Sequence, residues 1–520
     1  MALHYFIPDW DDRVDPGYNF LTDEHTPGRV PYRDDRYAHE LYDEPPYDGI
    51  LLSRATLDDN PAKRAAIHSA GTVHRYLRLP VDGEHLVLGD CGAFSYWQQD
   101  EPPYQTAEVL DYYQDLGFDL GVSIDHLIFP EVAHQRNERW DITMHNAEEF
   151  LQLHRSGRYR FTPVGVAQGW SPDSYKRAAA GLIQMGYRYI AIGGLARSQT
   201  RDVIPTLAAV HEVLPVGMHV HLFGVNRPEF AREFARLGVT SFDSASRLRR
   251  AWMDGKRNYF IGDKDYTAIR IPATPDQLEK LRRALKKVRE NYEPHVPETS
   301  LWDTWSRLIR STGGDPPGEH ERRASDNEGQ VERIERSLDG VQQPPLVLSQ
   351  LWERLRKLPT KQDERDILAA LSLLKYVADH IEVLVTCHHY LEPAEHRALD
   401  QLRAYARDEL SLEDAHAAVA EYALLSGDHR QRVEGDYWRT LEAKPWERCP
   451  CAICQALGVE VIIFRGNNRN RRRGFHNTWQ LYYQLQRESS PPARAKALVT
   501  QLELAWIIHE HLEGPATDQV

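Results

Sequence analysis

The sequence predicts a (β/α)8 barrel followed by a smaller C-terminal region. Over residues 1–275, eight short apolar runs alternate with helical stretches. Most of the runs are continuously apolar and bounded by Gly or Asp, as in parallel strands that are buried on both faces. Acidic residues and glycines follow the runs, at the positions where barrels of this kind carry their active sites. A doubly wound open sheet is the structural alternative.

The eight runs predict the strands of the barrel in chain order. They are HYFIPD (4–9), GILLSRA (49–55), HLVLGD (85–90), DLGVSID (119–125), FTPVGVAQG (161–169), YIAIGGL (189–195), HVHLFGV (219–225) and SFDSA (241–245). Between them, SPDSYKRAAAGLIQMGY (171–187) has a Ser/Asp start, apolar spacing and a late Gly, which predict an amphipathic helix. Eight strands interleaved with helices over about 250 residues favour the closed barrel.

The rest of the chain changes character after residue 275. Residues 276–345 predict a helix and a flexible linker, since 311–345 are rich in Gly, Pro and charge. Helical apolar periodicity over 346–440 predicts an inserted helical module. Residues 441–520 predict a compact subdomain with a cysteine cluster, a short strand (VEVIIF, 459–464), an Arg-rich loop and further helices.

Composition limits the compartment and the partners. The chain has 520 residues, is 41% hydrophobic and contains five cysteines, too few for a disulfide framework. It shows neither a signal-peptide pattern nor an apolar stretch long enough to span a bilayer, so we expect a cytoplasmic protein without membrane contact. The net charge of −14 argues against general adhesion to nucleic acid, so any such contact requires a local basic patch.

Polar side chains at the ends of the predicted strands form a candidate site. Three carboxylates converge on one mouth, and a Gln, a Gly-Gly pair and an aromatic accompany them. Together they predict a pocket for a flat, polar heterocycle. Taken singly, each acid has a simpler interpretation as an Asx turn or a helix cap. The set comprises Asp90, Phe94, Asp125, Gln168, Gly193, Gly194, Leu195 and Asp243.

These residues resemble a known family. GDCGAF (89–94) is similar to the DSGGF-type motif of the tRNA-guanine transglycosylases. VAQG (166–169), IGGL (192–195), LFGVNRPE (222–229) and FDSASRLR (242–249) follow in that family's order and at similar spacing. The resemblance covers residues 1–275 and 445–490. Members replace guanine in a polynucleotide with a 7-deazaguanine without cutting the backbone.

The resemblance implies a role for each matching residue. Exchange with retained configuration needs two displacements, so a carboxylate must form a covalent ester with the sugar. Asp243 matches the family's nucleophile, Asp90 matches the acid that shuttles a proton to and from the bases, and Asp125 matches the acid that reads the base edge. The other matches are Gln168, Gly193, Gly194 and Leu195 at the exocyclic oxygen, Phe94 stacked on the ring and Arg249 near the substrate backbone.

The chain departs from the family motif beside two of the acids. Cys91 replaces Ser, Ala93 replaces Gly, and Ser95 stands where Gln is usual. His126-Leu127 replaces the usual Glu-Cys after Asp125. The three acids are retained, so the resemblance supports the reaction class and leaves the choice of base open.

A cysteine cluster near the C-terminus predicts a metal site. Cys449, Cys451, Cys454 and His476 supply three thiolates and an imidazole, enough to close a tetrahedral zinc shell. They also resemble the family's CxCxxC…H site, which implies structural zinc. Uncoordinated thiols are the simpler alternative. A catalytic zinc deaminase is disfavoured, since its signature places a Glu beside the His.

A basic run follows the cysteines at a position that could contact phosphates. In an otherwise acidic protein it is a candidate phosphate-binding strip, with an ordinary solvated loop as the alternative. It consists of Arg465, Arg469, Arg471, Arg472 and Arg473.

The N-terminal sequence resembles a DNA-modifying branch of the family. FIPDWDDRVDPGYNFLTDEHTPGR (6–29) and DEPPYDGILLSRA (43–55) are similar to the DpdA family, which inserts 7-cyano-7-deazaguanine into DNA. This implies a flipped-out guanine as substrate and an ATPase partner, as in bacterial modification and restriction systems. The alternatives are a tRNA transglycosylase with an unusual insertion and a non-catalytic barrel that binds nucleic acid or a partner subunit.

Overall fold

The computed structural model describes residues 3–79, 85–157, 159–273, 381–426, 428 and 431–488. Eight parallel strands close into a barrel in chain order, with β8 returning to pair with β1. This confirms the predicted (β/α)8 class. The strands are β1 (His4–Pro8), β2 (Gly49–Ser53), β3 (Leu86–Asp90), β4 (Leu120–Val122), β5 (Thr162–Ala167), β6 (Tyr189–Ile192), β7 (His219–Leu222) and β8 (Ser241–Asp243).

The interior of the barrel is filled by alternate side chains of its strands. Since neighbouring residues of a strand point to opposite faces, one residue in two enters the core. Phe6 of β1 and Leu51 of β2 belong to this core, together with side chains from β3 to β6. The strands are therefore packed from within and present their ends as the surface for a site.

Ten α-helices in the described part of the chain connect and surround the strands. They are α1 (Arg54–Asp58), α2 (Pro61–Ala70), α3 (Val73–Leu77), α4 (Ala93–Tyr96), α5 (Thr106–Leu116), α6 (Arg136–Ser156), α7 (Pro172–Met185), α8 (Thr200–His211), α9 (Ala231–Arg236) and α10 (Ser246–Met253). The signals in the sequence set the ends of α7. Ser171 caps its first turn by accepting the Ser174 N–H, and Gly186, with φ of 101°, ends it.

Strand glycines let an aromatic residue approach the outside of the barrel. A Cβ on Gly89 would lie 2.4 Å from the Tyr113 ring, and one on Gly121 would lie 2.6 Å from it. The Tyr113 hydroxyl donates to the carbonyl oxygen of Val122 at 3.2 Å. Helix α5 therefore packs directly on β3 and β4, the strands that lead to Asp90 and Asp125.

A long segment, residues 9–48, joins β1 to β2 and contains one short 3-10 helix, Ala38–Glu40. Buried acids hold it together. Asp15 accepts hydrogen bonds from the Thr26 amide and hydroxyl at 2.8 and 2.7 Å. Asp35 forms a two-point ion pair with Arg29 at 2.5 and 2.7 Å. These contacts give the segment a fixed shape despite its lack of regular structure.

Packing divides the chain into two compact units, Met1–Arg250 with Gly474–Val520 and Ala251–Arg473. In the second unit, β9 (Tyr259–Ile261) and β10 (Lys264–Tyr266) form a hairpin, and β11 (Ile269–Arg270) pairs in parallel with β12 (Ile463–Phe464). Its described helices are α11 (Ile381–Ala406), α12 (Leu412–Leu425), α13 (Trp438–Ala443), α14 (Pro445–Arg448) and α15 (Ala452–Leu457), with a π-helix at Arg432–Tyr437. Helix α16 (Gly466–Glu488) begins in this unit and ends in the other.

Two local predictions were wrong. VEVIIF (459–464) is mostly the 3-10 helix Gly458–Ile462, and only Ile463–Phe464 are strand. The Arg-rich segment is the first part of α16 and not a loop.

Several other predictions lie outside the described residues. They are the helix and linker over 276–345, the first part of the helical module (346–380) and the helices after residue 488. The described part of the module, 381–426 and 431–440, is helical. Within the described part of the chain, no helix has the length and apolar content required to cross a membrane.

Candidate active site

Three carboxylates lie at the strand ends from which the loops of one mouth leave. Asp90 is the last residue of β3 and Asp243 is the last residue of β8, whereas Asp125 follows β4 by three residues. Because the eight strands are parallel and closed, their carboxyl ends surround the same mouth. Asp125 and Asp243 are 5% and 7% exposed, and Asp90 is partly buried.

The three carboxylates influence one another electrostatically. Burial and, to a smaller extent, the charge of Asp243 raise the pKa of Asp90 to about 6, against hydrogen bonds from the amides of the following loop. Burial and then the charge of Asp90 raise the pKa of Asp125 to about 7, against a hydrogen bond from Gln168. Both acids therefore change protonation state near neutral pH, where side chains transfer protons most efficiently.

A buried hydrogen-bonded chain holds Asp243. Its Oδ1 accepts the Gly224 N–H at 2.8 Å and lies 3.3 Å from Nε2 of His221. His221 is 1% exposed, and its Nδ1 lies 2.9 Å from Oγ of Ser241. The Ser241 hydroxyl in turn contacts the hydroxyl of Tyr189 at 2.6 Å. When Nε2–H donates to Asp243, Nδ1 accepts from the Ser241 hydroxyl, and Ser241 accepts from Tyr189.

The sequence analysis missed His221. It lies within HVHLFGV, a run that was interpreted as apolar strand, and the signal that could have identified it is alternation. His221 is one residue before the end of β7, and alternate residues of a barrel strand face the interior. The structure also argues against Asp243 as a simple helix cap, because its Oδ1 contacts the β7 side of the mouth. Ser244 accepts the Ser246 N–H at the start of α10 instead.

Gln168 and two glycines form a compact wall beside Asp125. Nε2 of Gln168 donates to Asp125 Oδ2 at 2.6 Å, and its Oε1 is buried without a hydrogen-bond partner among the described residues. A Cβ on Gly193 would lie 2.2 Å from Nε2, and one on Gly194 would lie 2.8 Å from Oε1. Glycine is needed at both positions, and at Gly194 the φ of 78° adds a second reason. The unsatisfied Oε1 is an acceptor suited to a ligand N–H.

Phe94 lies further out than the acids. It is 49% exposed, and its ring centroid is 5.6 Å from that of Phe129. The guanidinium of Arg197 lies 4.5 Å from the Phe129 centroid and 5.9 Å from that of Phe94. Leu195, the remaining predicted contact in this region, is buried. The exposed face of Phe94 is thus available for stacking on a planar group.

The residues that depart from the family motif have structural partners. His126 is fully buried, with Nδ1 3.0 Å from Nη1 of Arg139 and Nε2 3.1 Å from the Asp100 carbonyl oxygen. Cys91 is also fully buried, 3.5 Å from the Tyr113 hydroxyl, and burial raises the pKa of its thiol. These side chains support the loops that carry Asp90 and Asp125.

Arg249 belongs to α10, which starts three residues after Asp243. Its guanidinium carbon lies 4.2 Å from the ring centroid of Trp10, the second residue after β1. A cation stacked on an aromatic ring therefore borders the mouth beside β1 and β8.

Comparison with known proteins agrees with this geometry. Residues 62–256 match the family model for queuine tRNA-ribosyltransferase. The chain is 33% identical over 505 residues to a DNA-guanine transglycosylase of Salmonella montevideo, an alignment that covers 93% of this chain and 97% of that protein.

The chain belongs to the guanine transglycosylase family. It is therefore an enzyme, a pentosyltransferase that acts on guanine.

More distant relatives of this transglycosylase match over shorter stretches. The tRNA-guanine(15) transglycosylases of Methanocaldococcus jannaschii and Haloarcula marismortui are 24% and 29% identical over 169 and 184 residues. Those alignments cover 31% and 33% of the transglycosylase, and 26% and 37% of the two archaeal proteins.

The transglycosylase brings its predicted metal ligands together. The ligand atoms of Cys449, Cys451, Cys454 and His476 all lie within 4.8 Å of one another, and all four residues are buried. Sγ of Cys451 accepts the Cys454 N–H at 3.4 Å, and the Tyr259 hydroxyl contacts Sγ of Cys454 at 3.1 Å. Hydrogen bonds with the thiols of Cys449 and Cys451, and then burial, raise the pKa of Cys454. Three thiols and an imidazole at this spacing could hold a metal ion.

The predicted phosphate-binding strip is mostly buried, contrary to the expectation of a basic surface. Arg465 pairs with Glu395 at 2.7 Å, and Arg469 pairs with Glu460 at 2.8 Å. Arg472 donates to Oδ1 of Asn468 at 3.0 Å. All three are 8% exposed or less.

Arg473 is the most deeply buried member of the run. It is fully buried and donates to the carbonyl oxygens of Val461 and Ile463 at 3.2 Å. Burial lowers its pKa to about 9. Arg471 remains partly exposed. These arginines mainly pair with carboxylates and carbonyl groups inside the second unit, because a buried guanidinium requires such partners.

A small surface cavity of about 30 Å³ lies beside the barrel wall of the transglycosylase. Ile7, Ile50 and Trp10 are among its lining residues. Phe6 and Leu51 face the barrel interior, so Ile7 and Ile50 face outwards. The cavity therefore lies outside the barrel core, and Trp10, which follows β1, is on its border.

Proposed function

We propose that this enzyme replaces guanine in DNA with 7-cyano-7-deazaguanine through a covalent ester between Asp243 and the deoxyribose. The observation that supports DNA as the substrate is the near full-length similarity to a protein named as a DNA-guanine transglycosylase. The similarities to tRNA enzymes cover about a third of the chain. The resemblance of the N-terminal motifs to the DNA-modifying branch supports the choice of the cyano base.

Asp243 is the proposed nucleophile. Its carboxylate attacks C1′ of the deoxyribose from the face opposite the base, so that the C1′–N9 bond breaks while a C1′–oxygen bond forms. The N–H groups of Gly224 and His221 bind Oδ1, which leaves Oδ2 as the attacking atom. In the second half, N9 of the incoming base attacks C1′ and Asp243 leaves as a carboxylate.

Asp90 is the proposed proton carrier. In the first half, the carboxylic acid gives its proton to the departing guanine. In the second half, the carboxylate takes the proton from N9 of the incoming base, which restores the starting state. A pKa of about 6 gives Asp90 access to both forms near neutral pH.

Asp125 and Gln168 are the proposed readers of the base edge. Guanine and 7-deazaguanines both present N1–H and an exocyclic amine, and the Asp125 carboxylate can accept hydrogen bonds from both groups. The resemblance places Gln168 at the exocyclic oxygen, but its Nε2 donates to Asp125, so we propose that its Oε1 serves as a second buried acceptor. We assign the exocyclic oxygen to the backbone around Gly194 and Leu195, and the ring face to Phe94, as the resemblance implies. An adenine reverses the donor and acceptor at these positions and leaves buried groups unpaired.

A structural zinc ion is the proposed occupant of the Cys449–Cys451–Cys454–His476 cluster. Four ligand atoms already close together match the tetrahedral shell of a structural site, which leaves no position for water. Zinc bound there would stabilise the folded chain, and no catalytic step uses it.

Labelled guanine exchange tests the function. Purified enzyme is incubated with labelled guanine and with either duplex DNA or tRNA, and the label in polymer is counted. We expect label in DNA only, and expect Asp243→Asn to remove it. Label in tRNA alone would favour the tRNA alternative. No label in either polymer, with or without candidate ATPases and ATP, would favour the non-catalytic alternative.

Nucleoside mass spectrometry tests the base. DNA from cells that express the chain and make 7-cyano-7-deazaguanine should contain the modified deoxynucleoside, and DNA from cells with Asp243→Asn should not. The ATPase partner implied by the resemblance to restriction and modification systems stays a prediction. It is tested by adding candidate ATPases and ATP to the same exchange assay.

A further inference from the structure

Trp10 is a large aromatic side chain held half-exposed at the mouth of the barrel. Phe6 of β1 lies opposite Asp243 of β8 in the strand register, and β1 continues for two more residues to Pro8. Trp10 therefore leaves the barrel at the end where Asp243 lies. Its indole is 49% exposed, and Arg249 stacks on it with Cζ 4.2 Å from the ring centroid.

The residues on both sides of Trp10 are fixed by buried charges. Nζ of Lys63 lies 2.7 Å from Asp9 and 3.0 Å from Asp11, and the side chains of Lys63 and Asp9 are 3% and 4% exposed. Asp9 also accepts the Asp11 N–H at 3.0 Å, and Asp11 has a left-handed φ of 55°. A buried ion pair and a left-handed Asp both have an energetic cost. These contacts fix the backbone on both sides of Trp10, whose ring faces solvent.

Two roles are consistent with this arrangement. If Trp10 only covers the aliphatic part of Arg249, any apolar side chain of similar size would serve. If the ring stacks on a ligand, a π-system is required and a branched aliphatic residue will fail. The ring borders the cavity outside the barrel core, yet half of its surface stays in water beside the mouth, and that exposed half favours stacking.

We infer that Trp10 stacks on the DNA base next to the exchanged guanine, an inference that rests on the proposed function. When guanine leaves the helix for the pocket, its neighbour loses a stacking partner and the strand must be held open. An indole at the mouth replaces that partner without reading sequence, since every base has a π-face. Arg249 contacts the ring and supplies a positive charge where the strand passes.

Steady-state exchange kinetics on a duplex oligonucleotide test the inference. Trp10→Leu keeps an apolar side chain and removes the π-system, and Trp10→Phe restores a ring. We expect Trp10→Leu to raise the KM for DNA by about 5- to 100-fold with kcat changed by less than about twofold, and Trp10→Phe to recover most of the loss. Leu21→Ala is the matched control, since Leu21 lies in the same segment and is 70% exposed.

An equilibrium measurement distinguishes stacking from an effect on folding. A duplex with 2-aminopurine beside the target guanine is titrated with Asp243→Asn enzyme, alone or combined with a change at Trp10. We expect 2-aminopurine fluorescence to be quenched with Trp10 present and not with Trp10→Leu. Equal quenching with Trp10 and with Trp10→Leu, or an unchanged KM for Trp10→Leu in an otherwise active enzyme, would overturn this inference and leave the proposed function standing. Absence of DNA exchange by the wild-type chain would instead overturn the proposed function.

Discussion

Nε2 of His221 lies 3.3 Å from Oδ1 of Asp243, and both side chains are buried at the end of adjacent strands. Ser241 and Tyr189 extend the contact into the barrel, so the imidazole has a fixed orientation. A carboxylate held on one oxygen presents the other in a defined direction. This relationship turns an acid at a strand end into a positioned nucleophile.

His221→Phe should therefore slow exchange without weakening guanine binding. Phe retains the ring and removes both hydrogen bonds, so Asp243 loses a donor and its orientation. We expect kcat to fall roughly 10- to 100-fold, the value of a hydrogen bond to a charged group, with the KM for guanine nearly unchanged. Steady-state kinetics measure both constants. Tyr189→Phe removes only the hydroxyl at the far end of the hydrogen-bonded chain. It serves as the control, and its kcat should fall less. Equal activity of His221→Phe and wild type would contradict this role.

Asp90→Asn should abolish exchange and stabilise the fold at alkaline pH. The pKa of Asp90 is about 6 in the folded state and near 4 in the unfolded state. Ionisation of Asp90 therefore destabilises the fold progressively as the pH rises from 4 through 6. At pH 8 the full cost applies, and removing the charge should raise the free energy of unfolding by roughly 2 to 3 kcal/mol. At pH 4 the variant and wild type should be alike. Denaturant unfolding at both pH values checks the sign, and a variant less stable at pH 8 would contradict it.

Gly194→Ala should damage base binding beyond its effect on the backbone. The new Cβ would lie 2.8 Å from Gln168 Oε1 and 2.9 Å from the Tyr175 hydroxyl. Gly217→Ala is the matched control, because Gly217 also has a positive φ, 84°, and a Cβ there meets nothing within 4 Å. Gly217→Ala should lose about 1 kcal/mol of stability from the backbone alone, and Gly194→Ala should lose more because of its two close contacts. Only Gly194→Ala should raise the KM for guanine, by at least about tenfold. Similar KM values for the two variants would contradict the assignment of this wall to the base.

Metal removal should unfold the chain before it affects chemistry. The purified protein should contain about one zinc ion per chain, and Cys451→Ser should lose both the metal and thermal stability. Elemental analysis and thermal unfolding measure the two. Cys91→Ala is the control, since Cys91 is equally buried outside the cluster and its change should leave the zinc content intact. A metal-free protein with an unchanged unfolding temperature would contradict a structural zinc site.

The sequence predicted the barrel well because burial on both faces gives long apolar runs. All eight strands lie within the runs assigned to them, and Asp90 and Asp243 end their strands. The Ser and Gly signals likewise placed α7 within two residues at each end.

The failures have a common physical cause. The polar segment from Gly466 has no apolar stripe, yet it is helical. Its arginines are buried by pairing with Glu395, Glu460 and backbone carbonyl groups that lie outside the helix. His221 was missed for the same reason, since its partners lie on other strands. Local patterns predict elements, whereas buried polar pairs depend on which elements meet.

The most direct test of the account is capture of the Asp243 ester. Enzyme and a duplex oligonucleotide are mixed without a replacement base, denatured in acid, digested with protease and analysed by mass spectrometry. We predict a peptide containing Asp243 that carries the oligonucleotide, absent from Asp243→Asn and discharged by added guanine. A covalent adduct on another residue, or full exchange activity in Asp243→Asn, would contradict the central claim.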